Sequence, residues 1–342
     1  MRPHLRTVVV LALVAGLLGV FLRNVDLSRV GRNIVSANPV WLGLSLATMI
    51  LNLVIRSFRW QFLLEPLGVA GFGNAFRATA VGFAASSLLP ARAGELVRPY
   101  FLARHEQMST TGAFATIIIE RMLDLVTVLI LLAAFVFVFP GGTSTQNPAL
   151  FAAVKWAGAA AGLGSVVVLG VLFVVARNPG RLGLMMTRLE RALPSVLVAK
   201  VARLVETFAE GLGIILRPGR LFVALLWSFP LWLCIDAGIW AAAVAFGLHV
   251  PFTGAFLIVP LLTLGVAVPT PGGIGGFHEA FRLGATVFYG APNDDAVAAA
   301  LVLHALSIGP SLLLGLFFAA QAGLNIGGMR RIADGVPGRA NV

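Results

Sequence analysis

Several apolar runs in this chain reach the roughly 20 residues that a helix needs to cross a hydrocarbon slab about 30 Å thick, and the linkers between them hold most of the arginines. Only 11% of the residues are charged and 58% are apolar, whereas a soluble domain carries roughly a quarter charged residues. Small size does not account for the deficit, because 342 residues would build an ample soluble core. The solvent for this chain is a bilayer.

The formal net charge of +11 does not indicate nucleic acid. Basic residues sit in the linkers, where the positive-inside rule expects them, and no basic stretch is interleaved with aromatics. The single cysteine, Cys234, lies in an apolar run, which excludes an intramolecular disulfide and a cysteine-based metal site. Thr7–Leu22 follows Arg2, His4 and Arg6 in the manner of a signal peptide, but no small-residue cleavage site follows and Arg23 closes the run. It is expected to stay as the first helix.

Charge then serves as a compass. Arg2 and Arg6 place the N-terminus in the cytoplasm, and the loop with Arg23, Asp26, Arg29 and Arg32 is expected outside despite its basic character. A second helix is expected over Pro39–Ile55, with Trp41 and Trp60 as interfacial anchors and Arg56 and Arg59 at the cytoplasmic headgroup level, where arginines commonly snorkel. Asn74–Leu89 is short and stops at Pro90, and Ala91–Arg104 carries Arg92, Glu95, Arg98 and Arg104. A hairpin that enters from the cytoplasm and returns fits that pattern better than a span.

Spanning helices are expected over Ala113–Phe139, Leu150–Ala176, Leu221–Phe246 and Ala296–Ala322. The uncharged loop 141–147 and the acidic turn at Pro292, Asp294 and Asp295 should be external, and Arg330, Arg331 and Arg339 internal. Between Arg177 and Arg220, apolar residues recur at helical spacing (Leu197, Val201, Leu204, Val205, Phe208, Leu212), which reads as a cytoplasmic helix on the membrane surface. Phe252–Tyr289, broken at Pro271, is a second hairpin entering from outside.

The expected fold is therefore an all-α polytopic membrane protein with about six spanning helices and two oppositely oriented re-entrant hairpins. One transmembrane domain covers 1–342, with a first repeat over 39–139, an amphipathic segment over 177–219 and an inverted second repeat over 220–322. Interrupted segments at matching positions of inverted repeats mark substrate sites in transporters. Backbone freed at membrane depth survives only inside protein or along a polar cavity.

Two polar constellations sit at those breaks. In Pro90-Ala-Arg-Ala-Gly-Glu95 the returning half-helix begins near Gly94, so its amides and Arg92 offer a phosphate seat. Arg98 lies one turn beyond Glu95 and is expected to pair with it. Self-neutralisation of these charges is the alternative. In Glu120-Arg-Met-Leu-Asp124 the carboxylates share a helix face and Arg121 turns about 100° away. Either a structural network with Arg92 or Arg98 or a proton relay would use them.

Pro271-Gly-Gly-Ile-Gly-Gly276 lets two backbones approach closely and exposes amides, with His278, Glu279 and Arg282 on the helix that follows. No strand precedes it and no Gly-Lys-Ser/Thr ends it, so it is not a nucleotide loop. His304 and Asp236 add inward polar groups. Neither His-Glu-x-x-His nor Gly-x-Ser-x-Gly occurs, and no metal centre or hydrolytic site is expected.

Leu89-Pro-Ala-Arg-Ala-Gly-Glu-Leu-Val-Arg98, Glu120-Arg-Met-Leu-Asp124 and Pro271-Gly-Gly-Ile-Gly resemble the lysylphosphatidylglycerol synthase transmembrane family, also called flippase-like domain proteins. The resemblance extends from about Thr7 to Ala322. It implies movement of a phospholipid, an aminoacylated lipid or an isoprenoid-linked lipid between leaflets of the cytoplasmic membrane. Two departures stand out. The synthase members carry a soluble aminoacyl-transfer domain, and its activity is not expected here. The family's acidic residue often stands seven positions after the turn's proline, where this chain has His278 followed by Glu279.

On that basis a lipid headgroup would rest on Arg92, Glu95, Arg98, Gly272, Gly273, Gly275, Gly276 and His278. Glu120, Arg121, Asp124, Glu279, Arg282 and His304 would form a charge network or proton relay. No cofactor and no catalytic step are expected. Membrane lipids are the expected partners, with either a homo-oligomer or a separate lipid-modifying enzyme besides. The rival functions are an integral membrane transferase acting on a lipid-linked substrate, a non-transporting subunit, and a transporter of soluble solutes.

Overall fold

A computed structural model of the chain describes residues 3–89, 94–138, 148–177, 207–268 and 270–333. Helices dominate, and no strand occurs among the described residues. In order they are α1 (Pro3–Phe21), α2 (Leu27–Ser36), α3 (Pro39–Leu64), α4 (Phe72–Leu88), α5 (Gly94–Glu106), α6 (Thr110–Val138), α7 (Pro148–Arg177), α8 (Pro218–Ala245), α9 (Ala255–Ala267), α10 (Gly276–Tyr289), α11 (Asn293–Gln321) and α12 (Ile326–Ala333). Pro90, Arg92, Pro269, Arg339, the loop 141–147 and most of the amphipathic segment lie outside the described residues. The described end of that segment packs inward, with Leu212 and Ile214 fully buried.

Local chemistry sets the helix starts. Asn38 caps α3 by accepting from the Val40 amide at 3.0 Å, and Pro39 takes the first turn, where its missing N–H costs nothing. Asp26 caps α2 by accepting from the amides of Ser28 and Arg29 at 2.9 and 3.2 Å. Hydrogen bonds from the Ser28 side chain and the Arg29 amide hold its carboxyl below the usual range. The expected basic loop after α1 is thus largely a helix.

Five helices are long and apolar enough to cross a membrane among the described residues: Pro39–Leu67, Thr110–Val138, Ala152–Arg177, Pro218–Ala245 and Asn293–Gln321. The sixth expected span, α1, is a helix of 19 residues whose described apolar part is Ala12–Phe21. α3 runs on past Ile55 to Leu64 because Arg56 and Arg59 are neutralised inside the protein and do not mark a water boundary. In contrast α4, α5, α9 and α10 hold 17, 13, 13 and 14 residues. At 1.5 Å per residue each falls short of a 30 Å slab.

The connections sort to two ends. At one, the Asn38 amide donates to the Ala245 carbonyl at 2.9 Å, the Asn33 side chain donates to Asp295 at 2.6 Å, and Arg29 faces Asp294 at 3.9 Å. The basic segment after α1 therefore meets the acidic start of α11, which accounts for its charge. At the other end Gln61 donates to the Ala70 carbonyl at 2.5 Å, Glu106 accepts from the Gly71 amide at 2.8 Å, and Arg220 pairs with Glu65. The mouth of the α4–α5 hairpin belongs to this second end. The mouth of α9–α10, where Gly254 abuts Tyr289, belongs to the first.

Two sets of four helices, α3–α6 and α8–α11, repeat one scheme. α3 and α8 cross antiparallel, tied by Ser45 donating to the Gly238 carbonyl at 2.8 Å and Asn52 to the Leu231 carbonyl at 2.9 Å. α4 lies along α11 as α9 lies along α6, and α5 packs on α6 as α10 packs on α11. Each hairpin closes on a glycine pair. A Cβ on Gly94 would strike the Gly82 carbonyl, and Cβ atoms on Gly265 and Gly276 would strike each other's backbone. Two apolar clusters follow the same division, one around Trp60, Val81, Val97 and Ile117, the other around Ile239, Ile258, Phe281 and Leu303.

Candidate functional site

Polar residues at positions 52, 56, 59 and 60 share one face of α3, and that face meets Glu120 and Asp124 on α6. Arg56 donates to Glu120 at 2.9 Å and to Asp124 at 3.1 Å. Arg59 lies 2.7 Å from Asp124 and donates to the Ser228 hydroxyl of α8 at 2.6 Å. Arg98 reaches in from α5 to Glu120 at 3.0 Å, its guanidinium 3.9 Å from the centroid of the Trp60 ring. Trp232 of α8 donates to Asp124 at 3.1 Å, and Trp60 to Thr116 at 3.0 Å. Arg59 and Glu120 are fully buried, while Arg56, Arg98 and Asp124 keep at most 4% of their surface.

Two sequence expectations need correction here. Arg56 and Arg59 do not snorkel at a headgroup level: they are core members of an ion-pair network, held there by carboxylates from α6. Trp60 is likewise fully buried against Arg98. The signal that would have found them is their spacing, since Asn52, Arg56 and Arg59 align on one side of an otherwise apolar span. Secondly, Arg98 does not pair with Glu95. Arg98 turns inward to Glu120, and Glu95 instead meets Arg121 at 3.0 Å. As expected, Arg121 points away from the face shared by Glu120 and Asp124, although it also reaches Asp124 at 3.4 Å.

Taking ions out of water costs several kcal/mol each unless partners replace the solvent. The network meets this cost incompletely. Arg56, Arg59, Arg98 and Arg121 stand against Glu95, Glu120 and Asp124, a surplus of one positive charge among these described groups. Among the described residues, Nε and Nη2 of Arg98 and Oε2 of Glu120 are buried with no hydrogen-bond partner. Arg98 also lines a small opening between α4, α5 and α6, together with Gly82, Phe83, Ser86, Gly94, Glu95, Ile117 and Arg121. The first amides of α5 lie at the same place, where the positive end of a helix dipole favours an anion.

The glycine turn of the second hairpin forms a separate polar cluster. Gly272, Gly273 and Gly275 have φ of 60°, 70° and 87°, values that side chains resist. His304 of α11 lies 2.8 Å from the Gly272 carbonyl, so Nε2 donates, while His278 Nδ1 accepts from the Gly275 amide at 3.2 Å. Both imidazoles sit among aromatics, their ring centroids 4.4 Å apart and that of Phe21 5.2 Å from His278, each pair tilted. The turn rests against the carbonyl of Ser87 at the end of α4, next to the Ser86 that lines the opening. Glu279 and Arg282 pair with each other at 2.8 Å, and Arg282 also donates to Asn293 at 2.9 Å. Glu279 lies in the first turn of α10, and among the described residues neither it nor Arg282 forms an ion pair with Glu120 or Asp124. Among the described residues no group of His, Cys, Asp and Glu forms a metal centre.

Comparison with known proteins was consistent with this architecture. The sequence is 32% identical over 103 residues to a UPF0104 membrane protein of Methanocaldococcus jannaschii, covering 29% of this chain and 31% of that protein. It is 26% identical over 257 residues to a UPF0104 membrane protein of Methanothermobacter thermautotrophicus, covering 70% and 73%. A third relative, named glycosyltransferase AglD, from Haloferax volcanii, matches at 26% over 308 residues, which is 82% of this chain and 49% of that protein. The match thus spans about a third of the first relative and half of the third. The family model of the lysylphosphatidylglycerol synthase transmembrane region matches residues 7–315. With nearly the whole chain matched and its helices long and apolar enough to span, this multi-pass membrane protein belongs to that family.

Proposed function

We propose that the chain seats the phosphate of a membrane lipid in the opening beside Arg98 and moves that lipid between leaflets. The observation that carries the reading is a pair of buried nitrogens of Arg98 that have no hydrogen-bond partner among the described residues, in a network where those residues carry one positive charge in excess, at the head of α5. A phosphate oxygen supplies the missing acceptors and the missing negative charge together. In this reading the two hairpins enter a cytoplasmic membrane from opposite sides, both termini are internal, and Glu95, Glu120 and Asp124 tune the charge. The glycine turn, held by His278 and His304, closes the opposite side of the path at Ser87. No catalytic step or cofactor is part of it, and a separate enzyme or a second copy would supply any chemistry on the lipid.

Mass spectrometry of the lipid that co-purifies with the protein tests this. Enrichment of a phosphate-bearing lipid in the wild type, lost in Arg98→Gln, is the expected result. Equal lipid profiles in both would refute the assignment.

A second reading is a membrane half of a lipid-linked glycosyl transfer system, favoured by the match to half of the Haloferax glycosyltransferase. Product formed from a sugar donor and a lipid acceptor by the purified chain would favour it over translocation.

A further inference from the structure

Ser228, Trp232 and Asp236 stand four residues apart on one face of α8. The first accepts from Arg59 at 2.6 Å and the second donates to Asp124 at 3.1 Å, so both end in the ion-pair network. The third continues that face beyond the network. Its neighbours Ile235 and Ile239 pack in the apolar cluster with Ile258 and Leu303, and Asp236 itself is fully buried. Among the described residues neither of its oxygens has a hydrogen-bond partner. Along α8 it lies about 27 Å from Pro218 and about 14 Å from Ala245, at 1.5 Å per residue, well inside the slab. Of the helices packed on α8, α3 brings Arg56 and Arg59, α6 brings Glu120, Arg121 and Asp124, α11 brings Asp294, Asp295 and His304, and α9 brings no ionisable group. Each of these is hydrogen-bonded or ion-paired to a residue other than Asp236.

We propose that Asp236 is the proton-carrying group of this protein: it holds a proton while the bundle is closed around it, gives it up to water when the bundle opens, and lipid transfer runs with that proton. An isolated carboxylate in an apolar interior costs far more than the neutral acid, so such a group keeps its proton. Ionisable side chains inside spans mark proton and ion pathways. Charge ties the proton to the lipid. With Asp236 neutral, the surplus of one positive charge around Arg98 stands and holds a phosphate. With Asp236 ionised, a negative charge one turn from Trp232 cancels that surplus. Proton and phosphate therefore bind together and leave together, and by linkage each strengthens the other. The proton comes from water at one end and leaves to water at the other, and only the O–H bond of Asp236 forms and breaks. The coupling rests on lipid translocation, whereas the protonated carboxyl does not.

Two measurements on the full chain test this. Infrared spectra of the purified protein at neutral pH are expected to show the carbonyl stretch of a protonated carboxyl in an apolar setting, shifted by isotope-labelled aspartate and absent from Asp236→Asn. In proteoliposomes, exchange of a fluorescent anionic phospholipid is expected to run severalfold faster when the lipid moves down an imposed proton gradient, and Asp236→Asn should lose that response. Absence of the band from the wild type overturns the proposal, as does a band that survives Asp236→Asn. So does a wild-type rate indifferent to the pH gradient, or one driven by a sodium gradient, which would make the carboxylate a cation seat. Exchange that is present but indifferent to the gradient removes the proton alone, and no exchange under any condition removes lipid translocation with it.

Discussion

Glu120 is the side chain the network can least lose. It accepts from Arg56 and Arg98 and lies 3.6 Å from Arg59, so Glu120→Ala would strand three buried guanidinium groups around a single Asp124. Removing one partner of a buried ion pair costs about 3–5 kcal/mol. Thermal unfolding in detergent should show a drop of several degrees or no folded protein at all. Arg98→Gln behaves differently. It leaves Arg56 and Arg59 against Glu120 and Asp124, a balanced set, and should fold normally. Asp236 is the converse case: it is fully buried, and among the described residues neither of its oxygens has a hydrogen-bond partner. A neutral side chain of the same shape removes the cost of burying a carboxylate, so Asp236→Asn should leave the melting temperature unchanged or raise it. A clear fall would show that the carboxylate has a partner after all. At this scale the acidic residues and Arg98 were legible from sequence as intramembrane charges. The roles of Arg56 and Arg59 were not, because charge alone does not tell a residue at the water boundary from one facing another helix.

Among the elements, the short paired helices were the most legible. Short apolar stretches ending in Pro and Gly cannot span, and α4, α5, α9 and α10 have the lengths that follow from this. What closes them was only half legible. The run from Gly272 to Gly276 announces a turn, whereas Gly82 and Gly265 look like ordinary small residues until their partners are placed opposite. Gly82→Val and Gly265→Val should both separate a hairpin. Overpacking a close contact costs about 1–3 kcal/mol, and here backbone must move, so both variants should melt earlier, with Gly73→Ala as a control in open space. α2 was missed because its basic residues read as a loop. Its cap at Asp26 and its contact with Asp294 and Asp295 depend on a partner far along the sequence. α12 lay past the last expected span and packs on α5.

For the whole molecule, the loops sort to two ends in the order the apolar runs imply, and which of the two ends is cytoplasmic belongs to the proposed function. The repeat of packing between α3–α6 and α8–α11 gave no strong sequence signal, since many different apolar residues fill the same contacts. With Cys234 replaced by Ala, single cysteines at Arg32 and Arg217, both exposed and at opposite ends, should react from opposite sides of the membrane with an impermeant maleimide. Equal labelling from one side would contradict the arrangement. The central claim, that the surplus charge at Arg98 receives a lipid phosphate during transfer, is tested most directly by the leaflet-exchange rate of a fluorescent anionic phospholipid in proteoliposomes. Wild-type protein is predicted to exchange it at least tenfold faster than Arg98→Gln at equal reconstitution and equal melting temperature, with Arg121→Gln intermediate. Equal rates in wild type and Arg98→Gln would contradict the account.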